Sequence, residues 1–240
     1  MPYYFYGFDW TYLTIVLPCI IISLLASASV NSTFKKYSKQ LSMRRVTGEQ
    51  AARQVLQSHG VYNVRIENIS GNLTDHFDPK TNVIRLSDDV YGNTSTAAIG
   101  VACHEAGHAV QYAQEYFPIK LRAAIIPITN IGSKLAMPLI LLGILLSTLG
   151  AFFESLIYVG IICFSLSLVF QLVTLPVEFN ASKRAIQSIS DCELLTKEEL
   201  RGAKKTLSAA AMTYVAATAV AFAQLLRMIL LFTGRGRNRN

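Results

Sequence analysis

His104-Glu105-Ala106-Gly107-His108 sets two imidazoles four residues apart, with a carboxylate directly after the first. On an α-helix such positions share a face, so both rings can reach one ion. Zinc accepts imidazole nitrogens at about 2.0–2.1 Å. Glu105, offset by one residue, can take a proton from a water in the ion's open position and deliver it to a leaving amine, while zinc polarises the scissile carbonyl. This is the H-E-x-x-H pattern of metallopeptidases. The plainer alternative is a pair of ordinary surface or core histidines. The flanks speak against it: Ala97-Ala98-Ile99-Gly100-Val101-Ala102 before and Ala109-Val110 after are small or apolar, as a buried helix needs.

A catalytic zinc generally has three protein ligands. The extended pattern with a third histidine is missing, because Gln111 and Gln114 stand where its glycine and histidine would be. His59 and His76 both lie upstream, so a downstream carboxylate is expected from among Glu115, Glu154, Glu178, Asp191, Glu193, Glu198 and Glu199. Glu115 is too close on the same helix to fold back onto the ion. Glu178 sits in Leu175-Pro176-Val177-Glu178-Phe179-Asn180-Ala181-Ser182, where a carboxylate beside apolar neighbours is costly unless paired or bound to metal. Its other reading is a carboxylate at a helix start, near the positive end of the macrodipole. Glu193 is the reserve ligand.

The elements that must position these groups can be read locally. Thr47 with Gln50 makes a capping box for a helix running to about Ser58 and stopped by Gly60. Val61–Ile69 alternates as a strand, Gly71-Asn72 marks a turn, and Asp75–Thr81, with Asp78-Pro79, reads as a second turn-rich segment. Asn82–Leu86 is a short strand, and Ser95 caps a helix from about Thr96 to Gln114 that carries the motif. Leu121–Lys134, interrupted by Pro127, leads into an apolar run.

Three such runs, Trp10–Phe34, Leu135–Phe153 and Ser155–Val177, approach or exceed the roughly 20 residues that cross a bilayer. As core helices of a soluble protein they would overfill a chain of 240 residues. The first lacks a basic leader and ends in Lys35, Lys36, Lys39, Arg44 and Arg45, so it reads as a permanent anchor rather than a cleaved signal. Residues 1–9 carry no Lys or Arg, and Lys183 and Arg184 follow the third run. The positive-inside rule then puts the N-terminus outside and residues 35–134 and 178–205 in the cytoplasm, with Glu154 on the opposite side. Topology accounts for the net charge of +7, and no aromatic-basic interleaving suggests a nucleic-acid surface. Cys19, Cys103, Cys163 and Cys192 show no CxxC spacing and no disulfide framework. Leu207–Phe232 is long enough to span, but Arg235, Arg237 and Arg239 would then fall outside. A helix that starts in the catalytic region and ends at the inner membrane surface suits the charge rule better.

Thr74-Asp75-His76-Phe77-Asp78-Pro79-Lys80, Val83-Ile84-Arg85-Leu86-Ser87, His104-Glu105-Ala106-Gly107-His108-Ala109 and Leu175-Pro176-Val177-Glu178-Phe179 together resemble the neutral zinc metallopeptidases of bacterial membranes, the YugP-like family. More distantly the chain is similar to the heat-shock membrane proteases and the CAAX prenyl proteases, in which a downstream Glu on a helix completes the metal site. The resemblance implies a mainly α membrane protein whose zincin-like catalytic domain holds a small β-sheet, with three transmembrane helices and a possible fourth. It supports Glu178 as third ligand in a gluzincin-like site. Where those relatives place an acidic residue four positions later to orient a histidine, this chain has Ser182, and Asn180 stands for an Asp more usual in the closer family. The resemblance also implies that Asn82–Leu86 forms a sheet edge beside the active-site helix, where an extended substrate could add as a strand. His76 lies near the cleft or is simply a turn residue.

The expected organisation is an anchor over 1–34, a cytoplasmic catalytic region over 35–134, a transmembrane hairpin over 135–177, and a third-ligand helix with a membrane-associated C-terminal helix over 178–240. The expected function is zinc-dependent endopeptidase cleavage of membrane proteins or membrane-proximal peptides, by a multi-pass protein of the cell membrane. Peptide substrate and lipid bilayer are its expected partners. Two alternatives are an intramembrane site-type metalloprotease and a non-catalytic zinc-binding scaffold. The first resembles proteins that use an Asp-Gly motif for the third ligand, and no Asp-Gly occurs here. The second has no use for a general base at Glu105.

Overall fold

The computed structural model describes residues 4, 5 and 8–236, with side chains from 10 to 232. Arg237, Arg239 and the side chain of Arg235, on which the charge argument for the C-terminus leans, lie outside the described residues. A short strand pair, β1 (Tyr4–Phe5) and β2 (Phe8–Asp9), precedes a π-helical segment over Tyr12–Val16 that runs into α1 (Leu17–Tyr37). There follow α2 (Gly48–Ser58), β3 (Arg65–Ile69), β4 (His76–Asp78), β5 (Val83–Ser87), α3 (Asp88–Tyr91) and α4 (Thr96–Ala113). Three long helices complete the described chain: α5 (Phe117–Leu146), α6 (Ala151–Asp191) and α7 (Lys197–Gly236). The protein is mainly α with a small sheet.

The chain divides into two compact units. One comprises Met1–Leu25, Leu121–Thr174 and Tyr214–Asn240. Among the described residues four helical stretches are long and apolar enough to cross a membrane: Tyr12–Tyr37, Phe117–Leu149, Ala151–Asp191 and Lys197–Phe232. The sequence places a span at Leu135–Phe153, but that run is divided between the end of α5, a 3-10 turn over Ser147–Leu149 and the start of α6. α5 begins at Phe117 and passes through both Pro127 and Pro138. A proline is a poor helix terminator in apolar surroundings, where no water replaces the backbone bonds a break would expose. Small residues let α5 and α6 approach closely. A Cβ on Gly160 would lie 2.9 Å from the Ala136 carbonyl oxygen, and one on Gly143 would lie 2.9 Å from the Ile157 nitrogen.

The second unit comprises Ala26–Lys120 and Leu175–Thr213. Its sheet has the order β3-β5-β4, with β3 parallel and β4 antiparallel to β5. The expectation that Asn82–Leu86 is a sheet edge is therefore corrected: β5 is the central strand, and β4 is an edge. The Asp78-Pro79 signal marks the corner of a hairpin rather than an isolated turn. The Asp78 carboxylate accepts from the Lys80 N–H at 2.9 Å and the Thr81 hydroxyl at 2.7 Å. Asn82 closes the corner with a φ of 56°. Three residues before a turn are too few to show alternation, so β4 escapes a pattern search.

α4 lies at the centre of this unit. Ala98, Ile99, Ala102, Cys103 and Ala106 join Ala51, Ala52, Val55 and Leu56 of α2 and Ile66, Ile84 and Leu86 of the sheet in one buried cluster. Both expected caps form. Thr47 and Gln50 make a reciprocal capping box at α2, and the Ser95 hydroxyl accepts from the Ala98 N–H at α4. Because Ser95 is fully buried, water cannot replace it as the acceptor. Ser95→Ala should lower stability by about 1 kcal/mol. Thermal unfolding of the purified full chain reads this as a lower midpoint, and an unchanged midpoint would refute the cap.

Candidate metal centre

The α4 helix carries His104, Glu105 and His108, and α6 carries Glu178. His104 and His108 lie one turn apart, with ring centroids 4.7 Å apart and planes at 83°. The Nε2 atoms of both rings face one oxygen of Glu178, at 3.3 Å from His104 and 3.5 Å from His108. Glu178 is 3% exposed and His108 is 8% exposed. The structure thus brings these three side chains together, with one ligand atom from each all within 4.8 Å of one another.

Close backbone contact makes this possible. A Cβ on Gly107 would lie 2.9 Å from the Ala181 carbonyl oxygen of α6. Glycine at this one position lets the two helices touch. One helical turn before Ala181, Glu178 then reaches the histidines.

The opposite side of each imidazole is also held. His108 Nδ1 lies 3.0 Å from Gln111 Oε1. The orientation of that amide is not arbitrary, since its Nε2 donates to the Val177 carbonyl and to Asn180 Oδ1, each at 2.9 Å. Gln111 Oε1 must therefore accept from His108 Nδ1, which leaves Nε2 as the ring atom that faces Glu178. His104 Nδ1 lies 3.2 Å from the Ser182 hydroxyl, which can accept in the same way. Asn180 Oδ1 also receives Arg184 Nε at 2.7 Å, and Arg184 Nη1 donates to Gln114 Oε1 at 2.6 Å. Gln111 and Gln114, which stand where the extended histidine motif would put a glycine and a histidine, are thus part of a hydrogen-bonded support. The available signal for Gln111 was its place three residues after His108, on the same helix face.

A nitrogen lone pair facing a carboxylate oxygen is repulsive unless a cation stands between them. Direct ion pairs with protonated imidazole would close to about 2.7–2.9 Å. The observed 3.3 and 3.5 Å are longer, and they match the roughly 3.3–3.4 Å between ligand atoms of a tetrahedral ion with bonds of about 2.0–2.1 Å. The donor set fits a divalent metal.

Glu105 is 8% exposed. Burial pushes its carboxyl up to about 7, the charge of Glu178 adds to this, and a hydrogen bond from the Phe77 N–H opposes it. That bond ties Glu105 to β4, and Phe77 also packs edge-to-face on Tyr112 of α4 at 6.1 Å. His76, at the start of β4, is exposed, with Nδ1 2.9 Å from the Thr74 carbonyl. Asp75 anchors the approach to β4 by accepting from the Ser87 N–H at 2.8 Å and from its hydroxyl.

The other downstream carboxylates are placed elsewhere. Glu115 pairs with Lys120 at 2.8 Å, and the exposed Glu193, the reserve ligand, pairs with Arg44 at 3.5 Å. Glu199 is buried but accepts from the Met43 and Thr196 backbone N–H groups, as a cap of α7. Asp191 is the exposed last residue of α6, and Glu198 is exposed in the first turn of α7. Glu154 belongs to the first turn of α6, in the other unit.

A largely buried His-His-Glu cluster that could hold a metal ion, with four helices of membrane-crossing length among the described residues, defines a membrane protein with a candidate metal centre. The chain belongs to the family described as "Putative neutral zinc metallopeptidase", whose model matches residues 12–233. It is 44% identical over 229 residues to the "Putative membrane protease YugP" of Bacillus subtilis (strain 168), across 95% of this chain and 99% of that relative. No solved structure matches the chain. Family membership makes the protein a membrane-associated hydrolase of the zinc metallopeptidase type.

Gln111→Leu retains the volume of the side chain but removes the acceptor for His108 Nδ1. It should weaken metal binding by about 10–100-fold. Chelator competition on purified protein measures this, and parental affinity in the variant would show that Gln111 has no part in holding the ring.

Proposed function

We propose that the chain is a zinc-dependent endopeptidase, with His104, His108 and Glu178 as ligands and Glu105 as general base, cleaving membrane proteins or membrane-proximal peptides. The observation that carries this reading is the convergence of the two Nε2 atoms on one Glu178 oxygen at 3.3 and 3.5 Å, next to a buried Glu105. Held by these residues, zinc would supply Lewis acidity to a coordinated water and to the scissile carbonyl. Glu105 takes the proton of the attacking water and gives it to the departing amine. Its carboxyl, raised by burial to about 7, suits both roles near neutral pH. The Phe77 N–H of β4 donates to the carboxylate and helps hold it. Gln111 and Ser182 hold the imidazoles in the tautomer that leaves Nε2 free for the ion.

The edge strand supplies a place for substrate. β4 pairs with β5 along one side, and its remaining edge can accept main-chain hydrogen bonds from an extended peptide. This replaces β5 in the role that the sequence assigned to Asn82–Leu86. The basic segments after the first and third apolar stretches support a catalytic region on the cytoplasmic side, with the N-terminus outside. The intramembrane alternative has less support: α4 has 18 residues and is not one of the four helices apolar enough to span.

Two variants test the assignment. Glu105→Gln should keep stoichiometric zinc while cleavage of a model peptide falls by about 10²–10⁴-fold. Glu178→Ala should lose zinc, measured by elemental analysis of the purified full chain. Parental cleavage by the first would refute a general base at Glu105 and favour a non-catalytic scaffold. Parental zinc in the second would refute the third ligand.

A further inference from the structure

The proposed chemistry makes no use of a trough of about 500 Å³ between α6 and α7 in the sheet-containing unit. Phe179, Ile186, Leu207 and Met212 give it an apolar lining, and Lys183 and Lys204 bring two positive charges to it. Among the described residues neither lysine has an acidic partner within 4.0 Å. Phe179 and Met212 are 48% and 53% exposed, so the trough presents large apolar side chains rather than burying them. Its volume lies within the range of small-molecule sites, about 300–1,000 Å³.

The position of the trough along both helices restricts what can fill it. α6 carries no Asp, Glu, Lys or Arg between Glu154 and Glu178, and α7 carries none between Lys205 and Arg227. The lining residues stand where each helix changes between a charge-free and a charged stretch. Phe179 lies two residues beyond the charge-free part of α6, after Glu178, and Met212 lies within that of α7. Lys183 and Lys204 belong to the charged parts. An occupant needs one apolar portion and one anionic end, disposed across that same change. Those are the properties of a membrane lipid.

We infer that this trough binds an anionic phospholipid, its acyl chain against Phe179, Leu207 and Met212 and its phosphate at Lys183 and Lys204. The Ser208 hydroxyl, also in the lining, adds a donor for a phosphate oxygen. Lipid in the trough touches Ser182, whose hydroxyl holds His104 Nδ1 at 3.2 Å. Bound lipid therefore steadies the ring orientation of His104. That consequence rests on the proposed zinc site, whereas the lipid site itself does not.

The test uses the purified full chain in detergent, offered equimolar phosphatidylglycerol and phosphatidylcholine of identical acyl chains, with retained lipid read by native mass spectrometry. The parent should retain phosphatidylglycerol preferentially. Lys183→Gln with Lys204→Gln should reduce that preference by about tenfold or more, since a basic residue near an anionic lipid surface contributes several-fold in affinity. Met212→Trp, which fills the trough from an exposed position, should reduce retention of both lipids. Far-ultraviolet circular dichroism and the thermal midpoint establish that the variants are folded. Equal retention of the two lipids by the parent overturns the inference, as does an unchanged preference in the double lysine variant. Lysine-dependent capture of an acidic peptide, without preference for phosphatidylglycerol, overturns it too and makes the trough a peptide subsite. The readout is lipid mass, so it stands or fails independently of peptidase activity.

Discussion

The contact on which the site depends is the approach of two helix backbones at Gly107 and Ala181. Two histidines on one helix can be aligned by periodicity alone, but a third group from another helix arrives only if the backbones nearly touch. A side chain at position 107 would meet the Ala181 carbonyl oxygen at 2.9 Å, closer than ordinary packing allows. The small side chain of Ala181 contributes to the same fit. The remaining geometry follows from that approach: Glu178 lies one turn back from Ala181 and faces His104 and His108, and Ser182, one residue on, meets His104 from its other side. Gly100 repeats the device on the next helix, where an added Cβ would lie 3.2 Å from Ala203 of α7.

Burying a carboxylate between two imidazoles carries a large desolvation cost, and the structure offsets it with polar groups in fixed orientations. Gln111, with no exposure to solvent, ties the α4 side of the site to the Val177 carbonyl and Asn180 on α6. Arg184 extends the same set of bonds to Gln114 at the end of α4. The network therefore joins the helices that the glycine lets together. It also gives His108 Nδ1 a fixed acceptor. A network of this kind holds the side chains of the cluster in fixed orientations.

α6 is continuous in sequence from Ala151 to Asp191, through Pro176, so the charge-free stretch and Glu178 belong to one helix. Glu178 is the first charged residue after that stretch. β4 and Glu105 meet through the Phe77 N–H, so an edge strand and a buried carboxyl are also coupled through one backbone group. The His104, His108 and Glu178 cluster, Glu105 and β4 are each carried by helices or strands.

Local information in the sequence determined a good part of this protein. The spacing of His104, Glu105 and His108, the capping box at Thr47 and Gln50, and the cap at Ser95 all depend on residues within a turn or two of one another, and such signals survive in a linear reading. The charge-free runs Trp10–Phe34 and Ser155–Val177 likewise fell largely within helices long and apolar enough to span, because their length is a property of the chain itself. Tertiary structure decided the rest. β4 is three residues long and exists because β5 pairs with it, so the segment before Asp78-Pro79 read as turn. α5 continues through Pro127 and Pro138, where a local reading of proline places a break. Gln111 and Asn180 look like ordinary polar residues until α4 and α6 are packed together. Which carboxylate faces the histidines was likewise settled by the crossing of two helices distant in sequence, a relation that no periodicity within either helix encodes.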